Sequence, residues 1–263
     1  MRHRRWLWLL VPLSLISSCS HAACGKKAFA IAIDVGHTLR NPGALSARGV
    51  AEFYFNRTVA VRLHQELLER GFTQAFLIND RGADISLRDR TSFAASRGAD
   101  VFLSVHHDSV QPHYLASWTY DGVEGQYSDR FAGYSLFVSY KNRSREQSVA
   151  LARSLGTEFR RNRFTPTLHH AEKIKGESRL LLDAYLGIYR FDDLAVLRTA
   201  TMPAVLVENG VIVNRDEEIL LRNPVYQRML VLSLAEGLET YCRRHAHRAG
   251  PDGGPRKKRN AGS

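Results

Sequence analysis

Three residues of this 263-residue chain stand just where an apolar run gives way to polar sequence, and a fourth stands near the start of a helix. His37 follows the β-branched run Lys27–Val35 in Asp34-Val35-Gly36-His37. His106 closes Asp100–His106 in Ser104-Val105-His106-His107-Asp108. Glu208 closes Met202-Pro203-Ala204-Val205-Leu206-Val207, and Glu52 opens a helical repeat that runs from Val50 to Arg70. Two imidazoles and one carboxylate form the three-ligand set of catalytic zinc, with the fourth position left for water or substrate. Neutral histidine and ionised glutamate suit this borderline ion, whereas an all-oxygen set would point to magnesium or calcium. Glu208 ends a run that otherwise reads as a buried strand, so its carboxylate must be paired, bound to metal or raised in pKa. Taken singly, a histidine at a strand end is more often a satisfied surface or core residue. A lone glutamate in a first helical turn is usually a dipole partner. Only convergence makes these residues a site.

The elements that would bring them together alternate. A strand at Lys27–Val35 stops at Gly36, and a helix follows with apolar residues at Phe53, Val59, Leu63 and Leu67 and a stop at Gly71. Phe72–Ile78 reads as a second strand, and Ser86-Leu87-Arg88-Asp89 as a capping box opening a helix that ends near Gly98. Asp100–His106 is a third strand and Ser135–Ser139 a fourth. Ser144, with Gln147 three positions on, opens a helix to about Arg161. Strands are expected near Leu194–Leu197 and Ala204–Glu208. Asn214 is expected to cap one last helix reaching about Cys242, with Asp216, Glu217 and Glu218 complementing its dipole. This order predicts a single α/β domain with a mostly parallel central sheet of about six strands and helices on both faces. Ligand sites in such sheets lie at the carboxyl ends of strands. His37, His106 and Glu208 occupy those ends, and the returning first helix begins there with Glu52. Between Arg161 and Leu194 lie about thirty residues, long for a connection. They hold His169, His170, Glu172 and Glu177 and predict a short helix around Arg179–Leu186.

Composition separates the core from its ends. The formal net charge is +11, which by itself would suggest a polyanionic partner. Arg2, Arg4 and Arg5 supply three of those charges, and the stretch after Tyr241 carries seven basic residues against Asp252, a net of six. Removing both from eleven leaves about +2 for the core, so nucleic-acid binding by the core is not expected. Residues 1–22 have a basic start and a short apolar run from Leu7 to Ile16, the shape of an export signal. Two processing routes are open: cleavage after Ala22, or a lipobox Ile16-Ser17-Ser18-Cys19 that would anchor the chain by lipid in the periplasm or cell envelope. Lipidation of Cys19 would leave Cys24 and Cys242 either to bridge the chain ends or to stay as two free thiols. Residues 243–263 lack apolar residues to bury and read as a disordered basic tail, a candidate contact with anionic envelope surfaces.

The motifs around these residues resemble those of zinc-dependent N-acetylmuramoyl-L-alanine amidases. Asp34-Val35-Gly36-His37, Glu52 with Asn56 one turn on, Ser104 to Asp108, and Pro203 to Glu208 with Asn209-Gly210 and Asn214 occur in the family's order. The resemblance spans roughly residues 28–241, within a catalytic domain expected at 27–242. It implies one Zn²⁺ per chain, held by His37, Glu52 and His106, with Glu208 as general base. It also implies a peptidoglycan substrate, cut between N-acetylmuramic acid and the L-alanine of the stem peptide. Periodicity alone leaves His106 and His107 open as the third ligand; the family pattern selects His106, with His107 on the opposite face or at the substrate. Asp34 is expected to orient His37 through its second ring nitrogen, Arg88 or Arg90 to meet a substrate carboxylate, and Asn209 to border the site. In some members a helical insertion covers the zinc and lends it a glutamate until an activator protein withdraws it. By that likeness Glu172 or Glu177, in a segment from Thr165 to Asp192, are lid candidates, against a second reading as the wall of a substrate groove. Two departures stand out: Thr38-Leu39-Arg40-Asn41-Pro42 occupies a stretch that is often glycine-rich, and His107 replaces a small residue. Two further functions fit the same sequence, another zinc hydrolase of wall peptides and a non-catalytic wall-binding lipoprotein.

Overall fold

A computed structural model of the chain describes residues 24–245. The segment expected to be an export signal, with Cys19, and the tail beyond His245 lie outside the described residues. In chain order the elements are β1 (Ile31–Val35), α1 (Glu52–Glu69), β2 (Ala75–Ile78), α2 (Leu87–Ser96), β3 (Val101–Asp108), β4 (Ala116–Tyr120) and β5 (Val123–Tyr127). There follow β6 (Ser135–Val138), α3 (Arg145–Arg161), β7 (Leu180–Asp183), β8 (Ile188–Arg190), α4 (Ala195–Thr199), β9 (Ala204–Val211), α5 (Arg215–Arg222) and α6 (Pro224–His245).

Seven strands form the central sheet in the order β2-β1-β3-β9-β6-β8-β7. The pairs β1–β2, β1–β3 and β3–β9 are parallel, so the carboxyl ends of those four strands share one edge. β6 runs antiparallel to β9 and begins at that edge, where Ser135 pairs with Glu208. Strand alternation divides the core. Ile31, Ile33, Leu103, Val105, Val205 and Val207 pack against α1, α3 and α6, while Ala32, Phe102, Ala204 and Leu206 pack with Ala94 of α2 and Val196 and Leu197 of α4. β1 is buried on both faces, as a central parallel strand should be. The reciprocal bonds of Ser86 and Asp89 that start α2 are formed. Cys24 and Cys242 are joined in a disulfide.

The single α/β domain with a mostly parallel sheet is therefore present, with one strand more than expected. Four local expectations differ. Leu194–Leu197 is not a strand but leads into α4, because a short apolar run fits either element and here its Val196 and Leu197 are buried against α2 and the sheet. The segment Arg179–Leu186 is not helical; it supplies β7 and the turn to β8, where Gly187 takes φ +64° and Asp183 accepts the Leu186 amide. The last helix is two helices, since Pro224 disfavours helical backbone at Asn223, which stands at ψ 125°. The β4–β5 hairpin was not anticipated, although its Asp121-Gly122 turn, both residues at positive φ, is a recognisable hairpin signal.

Candidate metal and catalytic site

β1 ends at Val35, and the chain turns through Gly36 into His37, whose φ of 70° is unusual for a residue with a side chain. That turn aims the His37 ring at Glu52 in the first turn of α1, Nε2 to Oε2 at 2.8 Å. The other carboxylate oxygen lies 3.0 Å from Nδ1 of His106 on β3. The two rings meet edge to face at 4.9 Å between centroids. Glu52 is thus held between both imidazoles, and its Oε1 also accepts from Asn56 Nδ2 and from the His107 amide. Burial alone would raise the Glu52 carboxyl, but the hydrogen bonds of His106 and His37 together outweigh it and hold the group well below the ordinary range.

Glu208 sits beside this group. Its Cα pairs with His106 across β3–β9, and strand alternation puts both side chains on the face of Ser104, Ala204 and Leu206. The residue is half-buried, yet its Oε2 is enclosed and makes no hydrogen bond within the described residues. Burial first, then the neighbouring carboxylates of Asp108 and Glu52, push its pKa well above the usual glutamate value. β9 does not stop at Glu208 as expected but continues to Val211.

Outside this centre the expected roles shift. Asp34 does not reach the His37 ring among the described contacts. It points into the α2 face, ion-paired with Arg90 at 2.8 Å and accepting from Ser104 Oγ at 2.8 Å. Arg90 is itself buried, so it positions the site rather than meeting substrate, while Arg88 is exposed on α2. His107 points to the opposite face, packed on Phe55 and donating Nδ1–H to Asn56 Oδ1 at 2.8 Å. Burial pushes its pKa down to about 3, so it is neutral. Asn209 donates to the His106 carbonyl at 2.9 Å. Glu172 accepts from Tyr114 Oη at 2.6 Å and pairs with Arg130, and Glu177 bonds Gln111 and His170.

A family model described as N-acetylmuramoyl-L-alanine amidase matches residues 31–240, about four-fifths of the chain and every residue of the group above. The chain belongs to this amidase family. The relative AmiC, an N-acetylmuramoyl-L-alanine amidase of Neisseria meningitidis serogroup B, is 28% identical over 222 residues, covering 80% of this chain and 52% of the relative. This chain thus spans about half the length of that protein. Among solved structures, the catalytic domain of the amidase CwlV from Bacillus (Paenibacillus) polymyxa var. colistinus superposes with a TM-score of 0.61 at 24% identity, covering 81% of this chain and 97% of that domain. The amidase AmiC2 of Nostoc punctiforme gives 0.62 at 23% identity, covering 84% of this chain and 100% of that one. At these identities the two structures speak to the fold.

The residues present fit the metal such amidases use. His37, Glu52 and His106 offer donor atoms within 4.8 Å of one another. Two glycines make room for them: a Cβ on Gly36 would stand 2.4 Å from the His106 ring, and one on Gly43 2.4 Å from Glu52 Oε2 and 2.7 Å from the His37 ring. Gly43 ends the loop that departs from the glycine-rich pattern, so the one glycine this chain keeps there is the one the carboxylate needs. The sequence reading took Gly36 as the stop of the first strand and gave neither it nor Gly43 this part in the site. It also passed over the grouping of Asp108 with His169 and His170, for which the adjacent histidines opposite a strand-end aspartate were the available signal.

Proposed function

We propose that this chain is an exported peptidoglycan amidase. It hydrolyses the amide between the lactyl group of N-acetylmuramic acid and the L-alanine of the stem peptide, in wall remodelling, daughter-cell separation or recycling. The observation that carries the reading is the Glu52 carboxylate held between His37 and His106, with Glu208 on the adjoining strand.

His37, Glu52 and His106 would hold the zinc, which when bound supplies a polarised scissile carbonyl and a water acidified toward ~7. Glu208 then does the proton work. It accepts the proton of the attacking water and delivers it to the departing amine, because an amide nitrogen leaves poorly unless protonated. A base for this task works best with a pKa near the operating pH. Burial beside Asp108 and Glu52 moves Glu208 in that direction. A cavity of about 590 Å³ between the loop carrying Ala44 to Gly49 and the β4–β5 hairpin is the proposed seat of the substrate. It adjoins the site through Ala44, whose amide donates to Glu52 Oε2. The segment holding Glu172 and Glu177 is assigned as a wall beside Asp108, with its lid role resting on likeness to other members.

Digestion of purified peptidoglycan tests this reading. The expected products are intact stem peptides with a free L-alanine amino group and glycan strands bearing free lactyl carboxylates, and their release should stop with a chelator. Cleavage confined to bonds within the stem would replace the amidase by a wall peptidase.

A further inference from the structure

A second group of donors meets at the carboxyl end of β3. Asp108 turns Oδ1 toward the Ser109 amide and presents Oδ2 to two imidazoles, His170 Nε2 at 2.7 Å and His169 Nε2 at 3.5 Å. The histidines are neighbours in the 3₁₀ turn His169–Ala171, with ring centroids 3.9 Å apart. All three residues are buried, none more than 8% exposed.

The far side of each ring is already engaged. His169 Nδ1 lies 2.8 Å from Thr167 Oγ1, and His170 Nδ1 lies 2.9 Å from Glu177 Oε2. A ring that donates Nδ1–H to such a partner keeps a lone pair on Nε2, the arrangement found behind metal-ligating histidines. Phe131 stacks on His169 at 4.8 Å, and Phe137 and Tyr189 pack edge-on against His170, so both rings are fixed in orientation. Without a cation His170 can satisfy Asp108 and Glu177 by carrying two protons. His169 is held less closely, its Nε2 3.5 Å from the Asp108 oxygen that His170 already takes at 2.7 Å. Its Nε2 is buried, faces Asp108 and makes no hydrogen bond within the described residues, a costly state for a nitrogen.

We propose that Asp108, His169 and His170 form a second site for a divalent first-row transition metal, with Thr167 and Glu177 holding the two rings. Two imidazoles and one carboxylate suit zinc and its neighbours over magnesium or calcium. The site shares β3 with the first centre, two residues beyond His106, but shares no ligand with it. Its bound ion would fasten the segment carrying His169 to the sheet edge, a cross-link between strand and connection, and the site does not depend on which bond the enzyme cuts.

The test is metal stoichiometry of the full-length chain, prepared without a polyhistidine tag and stripped by chelator. Co²⁺ titration is followed by visible absorption, and Zn²⁺ by equilibrium dialysis with elemental analysis. Two equivalents per chain are expected for the wild type. His169→Gln and His170→Gln should each retain one, and His37→Gln should also retain one, with the absorption band of the other site. Thr167→Val leaves all three ligands in place and should weaken only the second equivalent, by about 10–100-fold, which decides the matter should the histidine variants not fold. A folded wild type that binds a single equivalent, lost in His37→Gln, overturns the proposal. So does a second equivalent whose affinity is unchanged in the folded His169→Gln or Thr167→Val protein.

Discussion

Arg90 grips His37 by its backbone and leaves the ring free: Nη2 donates to the His37 carbonyl at 2.5 Å, while Nη1 donates to the Val35 carbonyl and to Asp34. Asn79 donates to the same His37 oxygen at 3.1 Å. These bonds span the Gly36 turn and hold the His37 backbone at a positive φ that would otherwise relax. The His37 ring is thus aimed at Glu52 from behind, by a guanidinium that bonds only backbone and Asp34.

Replacing that guanidinium separates stability from aim. Arg90→Ala leaves Asp34 buried without its cation and should cost about 3–5 kcal/mol in denaturant unfolding. Arg90→Lys keeps the charge but not the fork, and should fold while binding zinc at the His37 site about 10–100-fold more weakly. Wild-type zinc affinity in the lysine variant would remove the positioning role.

The two kinds of acidic residue at the centre should part company on mutation. Glu52→Ala, like His37→Ala and His106→Ala, should lose most of the zinc at that site, because two donors are too few. Glu208→Gln should keep both metal and fold, while release of stem peptides falls by about 10²–10⁴-fold. Near wild-type turnover in the Glu208 variant would refute its part in the mechanism.

Glu217 makes stability depend on pH in a definite direction. Its buried carboxylate accepts the amides of Val211 and Gly133, yet burial raises its pKa from 4.5 to about 7. A carboxyl with a raised folded pKa favours the native state while protonated, so its contribution is present below about 4.5 and lost as pH rises toward 7. The stability difference between wild type and Glu217→Gln should therefore shift against the wild type by roughly 3 kcal/mol across that window, at about 1.4 kcal/mol per pH unit. Urea unfolding of both proteins at several pH values measures it; parallel curves would contradict the assignment.

Opening the Cys24–Cys242 bridge, by reduction or by Cys24→Ser with Cys242→Ser, releases a loop with a sequence separation of 218 residues. Chain entropy for so long a loop sets a ceiling of about 5 kcal/mol on the loss, and native bridges typically cost about 2–5 kcal/mol to remove, visible as a lower midpoint in thermal or urea unfolding with the sheet intact by circular dichroism. An unchanged midpoint would show that packing alone holds the two ends.

Much of this geometry was legible because it follows from periodicity. His106 and Glu208 lie in the carboxyl halves of β3 and β9 and His37 just past the carboxyl end of β1, and once those strands are parallel the three share an edge. Asp34 was harder to place. The resemblance implies a bond to the His37 ring, but strand alternation sends its carboxylate into the α2 face, where Ser104 and Arg90 meet it. The segment from Thr165 to Asp192 was least legible, since a helix for Arg179–Leu186 satisfies the local pattern as well as a strand does. The choice is made by β6, a distant partner with which β8 pairs.

The disulfide also gathers the two ends of the described chain. Cys24 precedes β1 and Cys242 lies near the end of α6, with Phe29 packed on Tyr241 beside them, so both ends of the described chain emerge at one corner. That corner belongs to the amino ends of the strands, and His37, His106 and Glu208 to the carboxyl ends, one strand length or about 16 Å away. Any attachment made through residues before 24 or after 245 would therefore reach the described domain at that corner, across the sheet from the edge that carries His106 and Glu208.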